Sequence, residues 1–289
     1  LLEGSNIAIV TPNKPLVSGV PSLLFGNKPT DGGNLFLTTE ERDDLIAREP
    51  LSEKWIRKIL GASEFLNGKD RWCLWLVDAT EDDLLAMPEV RKRTDEIRKL
   101  RIKAGHPAAL KMAESPHLFI QVSQPRSGNY ILVPSVSSER RTYVPLGFFN
   151  ADVISTNANY IIPNGTLYEF GILSSLLHND WMRLVAGRLE SRYRYSSSVV
   201  YNPFPWPEVT DAQRQEIERL AEEVLLTRAE FPGCTLAELY DPDKMPAPLL
   251  AAHQTLDRAV DRLYRDRPFK DAADRLSCLL ARYEALVGN

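Results

Sequence analysis

The sequence is poor in cysteine and histidine, the residues that build disulfide frameworks and most transition-metal sites. Its 289 residues include three cysteines and four histidines. Cys73, Cys234 and Cys278 are far apart and odd in number, which argues against a disulfide framework and favours a reducing compartment. No two histidines have the spacing of a metal-ligand pair, so we expect no structural metal.

Long apolar runs and targeting signals are also missing. No stretch approaches the roughly 20 apolar residues of a membrane helix, so we expect no membrane association. The start, LLEGSNIAIVTPNKP, lacks the basic first part of a signal peptide, and its apolar run is short. It also lacks an initial methionine, so we expect the chain to be a fragment of a longer polypeptide.

Recognisable catalytic and cofactor motifs are missing too. The sequence has no Gly-rich phosphate loop, no Walker motif and no GxSxG elbow. The TDGGN stretch, 30–34, lacks the strand–turn–helix context of a cofactor loop, which favours a tight turn. NPFP, 202–205, has phenylalanine third and proline fourth, the wrong order for the Asn/Asp-Pro-Pro-aromatic motif that holds a flipped base. We interpret NPFP as a proline-stiffened linker.

The net charge of −4 hides an uneven distribution along the chain. Residues 91–145 contain 11 lysine or arginine residues against 4 acidic ones, a net charge of +7. Residues 1–90 carry a net charge of −6, and residues 208–289 carry −5. A basic block between acidic segments suits a polyanionic partner; a solvated helix surface is the alternative.

Hydrophobic periodicity and turn residues predict a mixed α/β domain, of α+β type, followed by a C-terminal α-helical module. Helices are predicted from Thr38 or Thr39 to Pro50, over 88–104 and over 167–187. Strands are predicted over 71–77, 117–123, 130–136, 142–149 and 159–162. Three amphipathic helices follow Pro207, the first opened by a capping box of Thr210 and Gln213. The predicted domains are 1–50, 51–207 and 208–289.

A charged string precedes the proline cluster. Glu190 is followed by Arg192, Tyr193 and Arg194. Arginine can donate two hydrogen bonds to guanine in the major groove, and glutamate can accept one from the cytosine amino group. On an extended segment Glu190 and Arg192 would point the same way, and together they could read one C·G pair. A surface salt bridge is the alternative.

Longer strings resemble a known family. The segment LYEFGILSSLLHNDWMRLVAGRLESRYRYSSSVVYNPFPWPE, 167–208, is similar to the target-recognition region of MmeI-like fused restriction–modification proteins and their stand-alone adenine methyltransferase relatives. Other strings match in the same order: FGNKPTDGGNL, WIRKILGASEFLNGKDRWCLWL, VPSVSSERRTYVPLGFF and LAELYDPDKMPAPLLAAHQTLDRAVDRLY. The resemblance covers nearly the whole chain.

The resemblance implies an organisation for the parent protein. In that family a methyltransferase domain precedes the target-recognition domain and a helical C-terminal segment. Residues 1–50 would be the linker from that domain, 51–207 the recognition domain and 208–289 the helical domain. S-adenosylmethionine and the catalytic motif would belong upstream, so this chain should hold no cofactor and be inert alone. The implied partners are double-stranded DNA and the methyltransferase domain in cis, in a prokaryotic cytoplasm.

The resemblance also assigns individual residues. Glu190 and Arg192 match the form of a base-reading pair that goes with a C, in agreement with their chemistry. Arg194 with Ala158 matches a second reading position, and Ser135 with Asn157 a third. Ser135 replaces the charged residue usual there, which leaves that base undetermined. Contacts to the DNA backbone are expected from Ser137, Ser138, Arg140, Arg141 and Tyr193.

Two other functions are compatible with parts of the sequence. The acidic helical tail could make the chain a protein-interaction scaffold of a multi-subunit defence complex, with DNA contacts incidental. A complete small methyltransferase is the second alternative, and it would have to bind S-adenosylmethionine despite the missing motifs.

Overall fold

A computed structural model of the chain describes residues 8–288. Within that range the α-helices are α1 (Thr39–Arg48), α2 (Ala62–Asn67), α3 (Glu81–Leu85), α4 (Pro88–Ala104), α5 (Pro107–Ala113), α6 (Leu167–Ser174), α7 (Leu176–Val185), α8 (Asp211–Ala229), α9 (Leu236–Leu239), α10 (Ala247–Tyr264) and α11 (Ala272–Val287). The strands are β1 (Leu24–Phe25), β2 (Phe36–Leu37), β3 (Ile56–Leu60), β4 (Trp72–Leu74), β5 (Asn129–Pro134), β6 (Val136–Ser137), β7 (Gly147–Asn150), β8 (Ile154–Ser155), β9 (Asn159–Pro163), β10 (Gly187–Leu189) and β11 (Arg192–Arg194). The first seven residues, on which part of the predicted linker and of the leader prediction falls, lie outside the described residues.

The chain folds into two compact units, and both are discontinuous in sequence. The larger unit contains the residues up to Leu24, Gly128–Phe149, and the residues from Asn159 onward. The smaller unit contains Phe25–Ser127 and Asn150–Ala158. Each unit has its own hydrophobic core. Helices and short sheets, with helices alone after residue 207, confirm the predicted fold class, whereas the predicted domain boundaries stay predictions.

The sheet of the larger unit is built on the antiparallel pair β5 and β9, with β7 on the other side of β5. Ile131 pairs with Ile162 and Val133 with Tyr160, and all four side chains are buried. Side chains of a strand alternate between faces, yet β5 is buried from Tyr130 onward because both of its faces are covered.

The C-terminal helices complete the core of the larger unit. Helix α8 packs against α6 and α10, and α11 packs against α7. A Cβ atom added to Gly171 would lie 2.6 Å from Ile217 Cγ2, so glycine permits the close approach of α6 and α8. The rings of Trp181 and Tyr283 are 5.9 Å apart at their centroids. Residues 208–289 therefore share one core with residues 159–207.

The proline cluster is part of this core. Residues 201–207 are all buried, and Phe204 and Trp206 are 0% and 4% exposed. Phe204 contacts Trp181 and His178 edge-on. Our interpretation of this segment as a proline-stiffened linker is therefore wrong, because its two large aromatic rings are packed in the core of the larger unit. Prolines alone could not show that the aromatic residues between them are buried.

The smaller unit has a four-stranded sheet with the order β2-β4-β3-β8. Strand β8 comes from residues after 150 and pairs parallel to β3, with Ile59 opposite Ile154. Helix α4 begins at Pro88 and ends before Gly105, whose φ of +71° suits glycine, as predicted. The TDGGN stretch is a turn, with φ of +63° at Gly32 and +86° at Gly33.

Two other predicted elements differ in the structure. The predicted strand 117–123 does not form; only Gln121 makes an isolated bridge. Backbone groups there bond to side chains instead, since Ser123 N donates to Asn27 Oδ1. The predicted helix 167–187 is two helices, because Ser175 is extended and its hydroxyl accepts from His178 N to cap the second.

Candidate nucleic-acid interface

The charged string lies on an exposed β-hairpin of the larger unit. Strands β10 and β11 are antiparallel, with Leu189 opposite Arg192 and Gly187 opposite Arg194. Glu190 and Ser191 are therefore the two residues of the turn. Arg192 and Arg194 point to the exposed face, while Tyr193 between them is buried. The hairpin thus presents two arginines and one glutamate outward.

Glu190 has a backbone conformation that glutamate seldom adopts. Its φ is +57°, the left-handed region that the first loop position of a tight hairpin requires and that glycine or asparagine usually fills. A non-glycine residue there costs about 1–3 kcal/mol, and such strain clusters at functional sites. Our expectation of an extended segment at Glu190 is therefore wrong, although the residue still reaches Arg192.

Glu190 and Arg192 form an ion pair at the tip of the hairpin. Arg192 Nη2 lies 2.7 Å from Glu190 Oε2, and the side chains are 77% and 47% exposed for Glu190 and Arg192. An exposed pair of this kind contributes less than about 1 kcal/mol, so it can be broken or shared at little cost. Arg194 is exposed on the same face as Arg192; burial raises the pKa of Tyr160, and the nearby charge of Arg194 opposes that shift.

The hairpin is fixed to the rest of the larger unit by its inner face. The guanidinium of Arg188 lies 3.7 Å from the centroid of the Tyr193 ring and donates to Ser191 O across the turn. Tyr193 is 8% exposed and belongs to the core. Arg188, which we did not assign from the sequence, therefore stiffens the turn that carries Glu190.

Strand β6 brings a second group of predicted residues beside the hairpin. Tyr193 lies opposite Ser137, Arg194 lies opposite Val136, and Tyr195 N donates to Ser135 O over 2.8 Å. Ser135 is half-buried, whereas Ser137 is 5% exposed because it shares the inner face with Tyr193. The structure thus groups these residues around one three-stranded sheet.

The turn after β6 carries Ser138, Arg140 and Arg141. Arg140 is exposed and forms an ion pair with Asp243, from the loop between α9 and α10. Arg141 is half-buried, and its Nε has no hydrogen-bond partner in the described part of the chain. Burial lowers the pKa of the Arg141 guanidinium and Asp241 opposes the shift, so both arginines face an acidic loop.

The remaining predicted residues, Asn157 and Ala158, belong to the smaller unit. They follow β8 in a turn, where Asn157 is exposed and Ala158 half-buried. Asn157 N donates to Asn27 O over 3.0 Å, and Ala158 N donates to Thr156 Oγ1 over 3.3 Å. We call Thr156–Ala158 the β8 loop. Asn27 was not singled out from the sequence, although it lies within the matching string FGNKPTDGGNL.

The basic helix α4 differs from our expectation of a surface that faces a polyanion. Arg101 is 3% exposed, and its guanidinium donates to five backbone carbonyls. Arg93 also bonds to carbonyls, and Lys92 and Lys99 pair with glutamates on the same helix. Part of the positive charge in residues 91–145 therefore serves the fold, which the net charge could not show.

Neither a metal-binding cluster nor a membrane-spanning helix is found within residues 8–288. No group of three or more histidine, cysteine, aspartate or glutamate side chains there could hold a metal ion. None of the helices in that range is long and apolar enough to cross a bilayer.

Comparisons with known proteins identify the family of this chain. Residues 3–208 match the family model for the MmeI target recognition domain, and residues 209–289 match that for the MmeI C-terminal domain. DNA methyltransferase A of Bacillus subtilis (strain 168) is 40% identical over 288 residues, which are 99% of this chain and 32% of that protein.

A solved structure is similar over the same length. The type IIL restriction-modification enzyme MmeI in complex with DNA shares 43% identity and a TM-score of 0.94, over 99% of this chain and 38% of that one. The chain thus spans about a third of each of these two relatives. The predicted resemblance is confirmed: this chain belongs to the MmeI family and comprises its target recognition and C-terminal domains.

Proposed function

We propose that this chain reads a specific sequence in double-stranded DNA on behalf of a methyltransferase domain in the same polypeptide. The observation that carries the proposal is the exposed hairpin with Glu190, Arg192 and Arg194, in a chain similar over its whole length to a protein solved with DNA. The target-recognition family match supports the same function.

The hairpin has dimensions and chemistry that suit the major groove. A two-stranded ribbon fits into that groove, where every base pair presents a distinct pattern of donors and acceptors. Arg192 would donate to O6 and N7 of guanine while Glu190 accepts from N4 of the paired cytosine. The ion pair between them already holds both groups on one side of the turn. Arg194, exposed on the same strand as Arg192, would read a neighbouring position.

Two further positions would complete the reading. We assign Ala158 to the position read by Arg194, and Ser135 with Asn157 to a third. A serine hydroxyl and an asparagine amide both donate and accept, so they adapt to either base of a pair. Ala158 offers a methyl group, which suits contact with thymine or simply leaves room for a base edge.

Contacts to phosphate would fix the position of the protein along the DNA duplex. We assign this role to Arg140 and Arg141, with Ser137, Ser138 and Tyr193 beside them, since such contacts position a protein without reading sequence. Ser137 and Tyr193 are buried, so the exposed Arg140 and the half-buried Arg141 are the charged side chains of this group that a phosphate can reach. Arg140 would exchange Asp243 for a phosphate, so Asp243 should weaken the contact.

The chemistry would take place outside this chain. The chain spans about a third of DNA methyltransferase A, so we assign S-adenosylmethionine and the pocket for a flipped adenine to the remainder of the parent polypeptide. The residues described here would place the duplex so that one adenine N6 is presented to that pocket.

The test exchanges the charges of the proposed reading pair in the full-length parent. Glu190→Lys with Arg192→Asp should change one recognised pair from C·G to G·C, because donor and acceptor change places. Sequencing of methylated sites measures this. Exchange at the equally exposed pair Glu216 and Arg219 on α8 is the control and should leave the motif unchanged. An unchanged motif in the first variant would show that the pair does not read bases.

Salt dependence separates DNA recognition from a scaffolding role. Arg140→Ala should weaken binding to all duplexes and reduce the slope of log K against log salt by about 1, as expected for one lost phosphate contact. Asp243→Asn should strengthen binding, because it removes the competing carboxylate. Binding that ignores both salt and sequence would contradict the proposal and favour a protein partner.

A further inference from the structure

Asn27 in the smaller unit is fully buried, and its carboxamide uses its whole hydrogen-bonding capacity. Nδ2 donates to Ser155 O over 2.8 Å and to Gln124 Oε1 over 3.0 Å. Oδ1 accepts from Ser123 N over 2.7 Å and from Gln124 N over 3.0 Å. An asparagine amide has two N–H donors and two acceptor sites, and all four are filled here.

The backbone of Asn27 holds the β8 loop directly. Asn27 N donates to Ser155 O over 2.8 Å, and its carbonyl accepts from Asn157 N over 3.0 Å. The preceding residue, Gly26, lies against the same loop: a Cβ atom there would be 2.1 Å from Thr156 O. Gly26 and Asn27 therefore contact Ser155 at the end of β8 and both Thr156 and Asn157 in the β8 loop.

A second amide, that of Gln124, secures the chain that leads into the loop. Its Nε2 donates to Ala151 O over 3.0 Å and to Val153 O over 2.8 Å, while its Oε1 accepts from Ser155 N over 3.3 Å. Asn27 Nδ2 donates to Gln124 Oε1, so each of the two amides must keep its orientation for this hydrogen bond to form. Rotating the Gln124 amide would turn its oxygen toward two carbonyl oxygens.

We infer that Asn27 and Gln124 are positioning residues for base reading by the β8 loop. The inference rests on the proposed function, in which Asn157 and Ala158 read bases. Asn27 is 0% exposed and cannot touch DNA. It fixes the backbone from which Asn157 projects, and a reading side chain must be held to about 0.5 Å to keep its hydrogen-bond geometry.

The substitution Asn27→Asp tests this with almost no change in volume. The new carboxylate oxygen would face Ser155 O and Gln124 Oε1, two acceptors that Nδ2 satisfied, so the loop must move. We expect discrimination at the base pair read by the loop to fall about tenfold, within the range that one base contact supplies. Discrimination at the pair read by Glu190 and Arg192 should stay unchanged.

The measurement is the dissociation constant of the full-length parent for its cognate duplex and for every single-base-pair variant. Asn157→Ala first identifies the pair that the loop reads. Gln124→Glu, at a half-buried site, is the second variant if Asn27→Asp fails to fold, and it should affect the same pair. Asn67→Asp, on the exposed end of α2, controls for the added charge.

The outcomes are distinct. Relaxed discrimination at the Asn157 pair, with discrimination at the pair read by Glu190 and Arg192 retained, supports the inference. If Asn157→Ala relaxes a pair that neither Asn27→Asp nor Gln124→Glu affects, the two amides serve stability only and the inference is overturned. If Asn157→Ala changes no pair, base reading by the loop is refuted, and the inference falls with that part of the proposed function.

Discussion

Arg101 allows a direct test of how the basic helix is used. Its side chain reaches Pro29 O, Thr30 O, Met112 O, Ser115 O and Leu118 O at distances of 2.8–3.4 Å. It thereby ties two stretches of the smaller unit, residues 29–30 and 112–118, to α4. Burial lowers the pKa of the guanidinium and Asp31 opposes the shift, but arginine stays charged at neutral pH.

The size of the effect follows from these bonds. At about 1.5 kcal/mol for each charge-assisted bond, the five bonds contribute roughly 7 kcal/mol, and burying the guanidinium costs several kcal/mol of that. We expect Arg101→Met to lower the free energy of unfolding of the smaller unit by about 3 kcal/mol, which speeds amide exchange there roughly hundredfold. Arg98→Met is the control, since the Arg98 side chain is half-exposed and makes one hydrogen bond to a backbone carbonyl, that of Ala113, besides an exposed ion pair with Asp95 at 3.9 Å.

Hydrogen exchange followed by mass spectrometry resolves the two units without separating them. Peptides from residues 25–127 should exchange faster in Arg101→Met, while peptides from α8, α10 and α11 should not change. The opposite pattern would refute the reasoning: unchanged exchange, together with weaker DNA binding and a shallower salt slope, would make Arg101 a phosphate contact.

Two further predictions concern the larger unit. Gly171→Ala should lower its free energy of unfolding by about 1–3 kcal/mol, because the added methyl group overlaps α8; Gly233→Ala, with no atom within 4 Å, should have little effect on circular-dichroism melting. Acid should destabilise the unit as well. Burial lowers the pKa of His178 and His253 to about 3, so the unfolded chain binds more protons between about pH 6.5 and 3 and stability falls as pH drops. Asp257, whose pKa burial raises to about 6, opposes this, as do Asp180 and Asp261, whose pKa values burial also raises. His253→Gln removes one of the two histidine contributions and should therefore flatten the loss of melting temperature on acidification; an unchanged slope would contradict the assignment.

Much of the local structure could be predicted from the sequence, because its signals are local. Helix α4 begins and ends where Pro88 and Gly105 indicate, and the capping box of Thr210 and Gln213 opens α8. The family resemblance could be recognised for the same reason, because it rests on long continuous segments of the sequence. The charge chemistry of Glu190 and Arg192 also follows from residue type alone.

Contacts between distant residues could not be predicted in this way. Arg101 and Leu100 are neighbours on one helix, yet the arginine is 3% exposed and the leucine 45%, because carbonyls of residues 29–30 and 112–118 converge on one side of α4. No pattern in the sequence singled out Asn27, and only the fold shows that it holds residues 155–157, almost 130 positions away.

The sequence by itself determined the fold class, both ends of α4 and the start of α8, the family and the residue types available to read bases. The tertiary structure decided which of those residues reach the surface. It placed Glu190 at the strained tip of a hairpin and buried the aromatic rings of the proline cluster. It also placed three arginines of the basic helix α4, at 93, 98 and 101, where they bond to backbone carbonyls. The physical reason is that burial and hydrogen-bond satisfaction are properties of the packed chain, set by contacts between residues far apart in sequence.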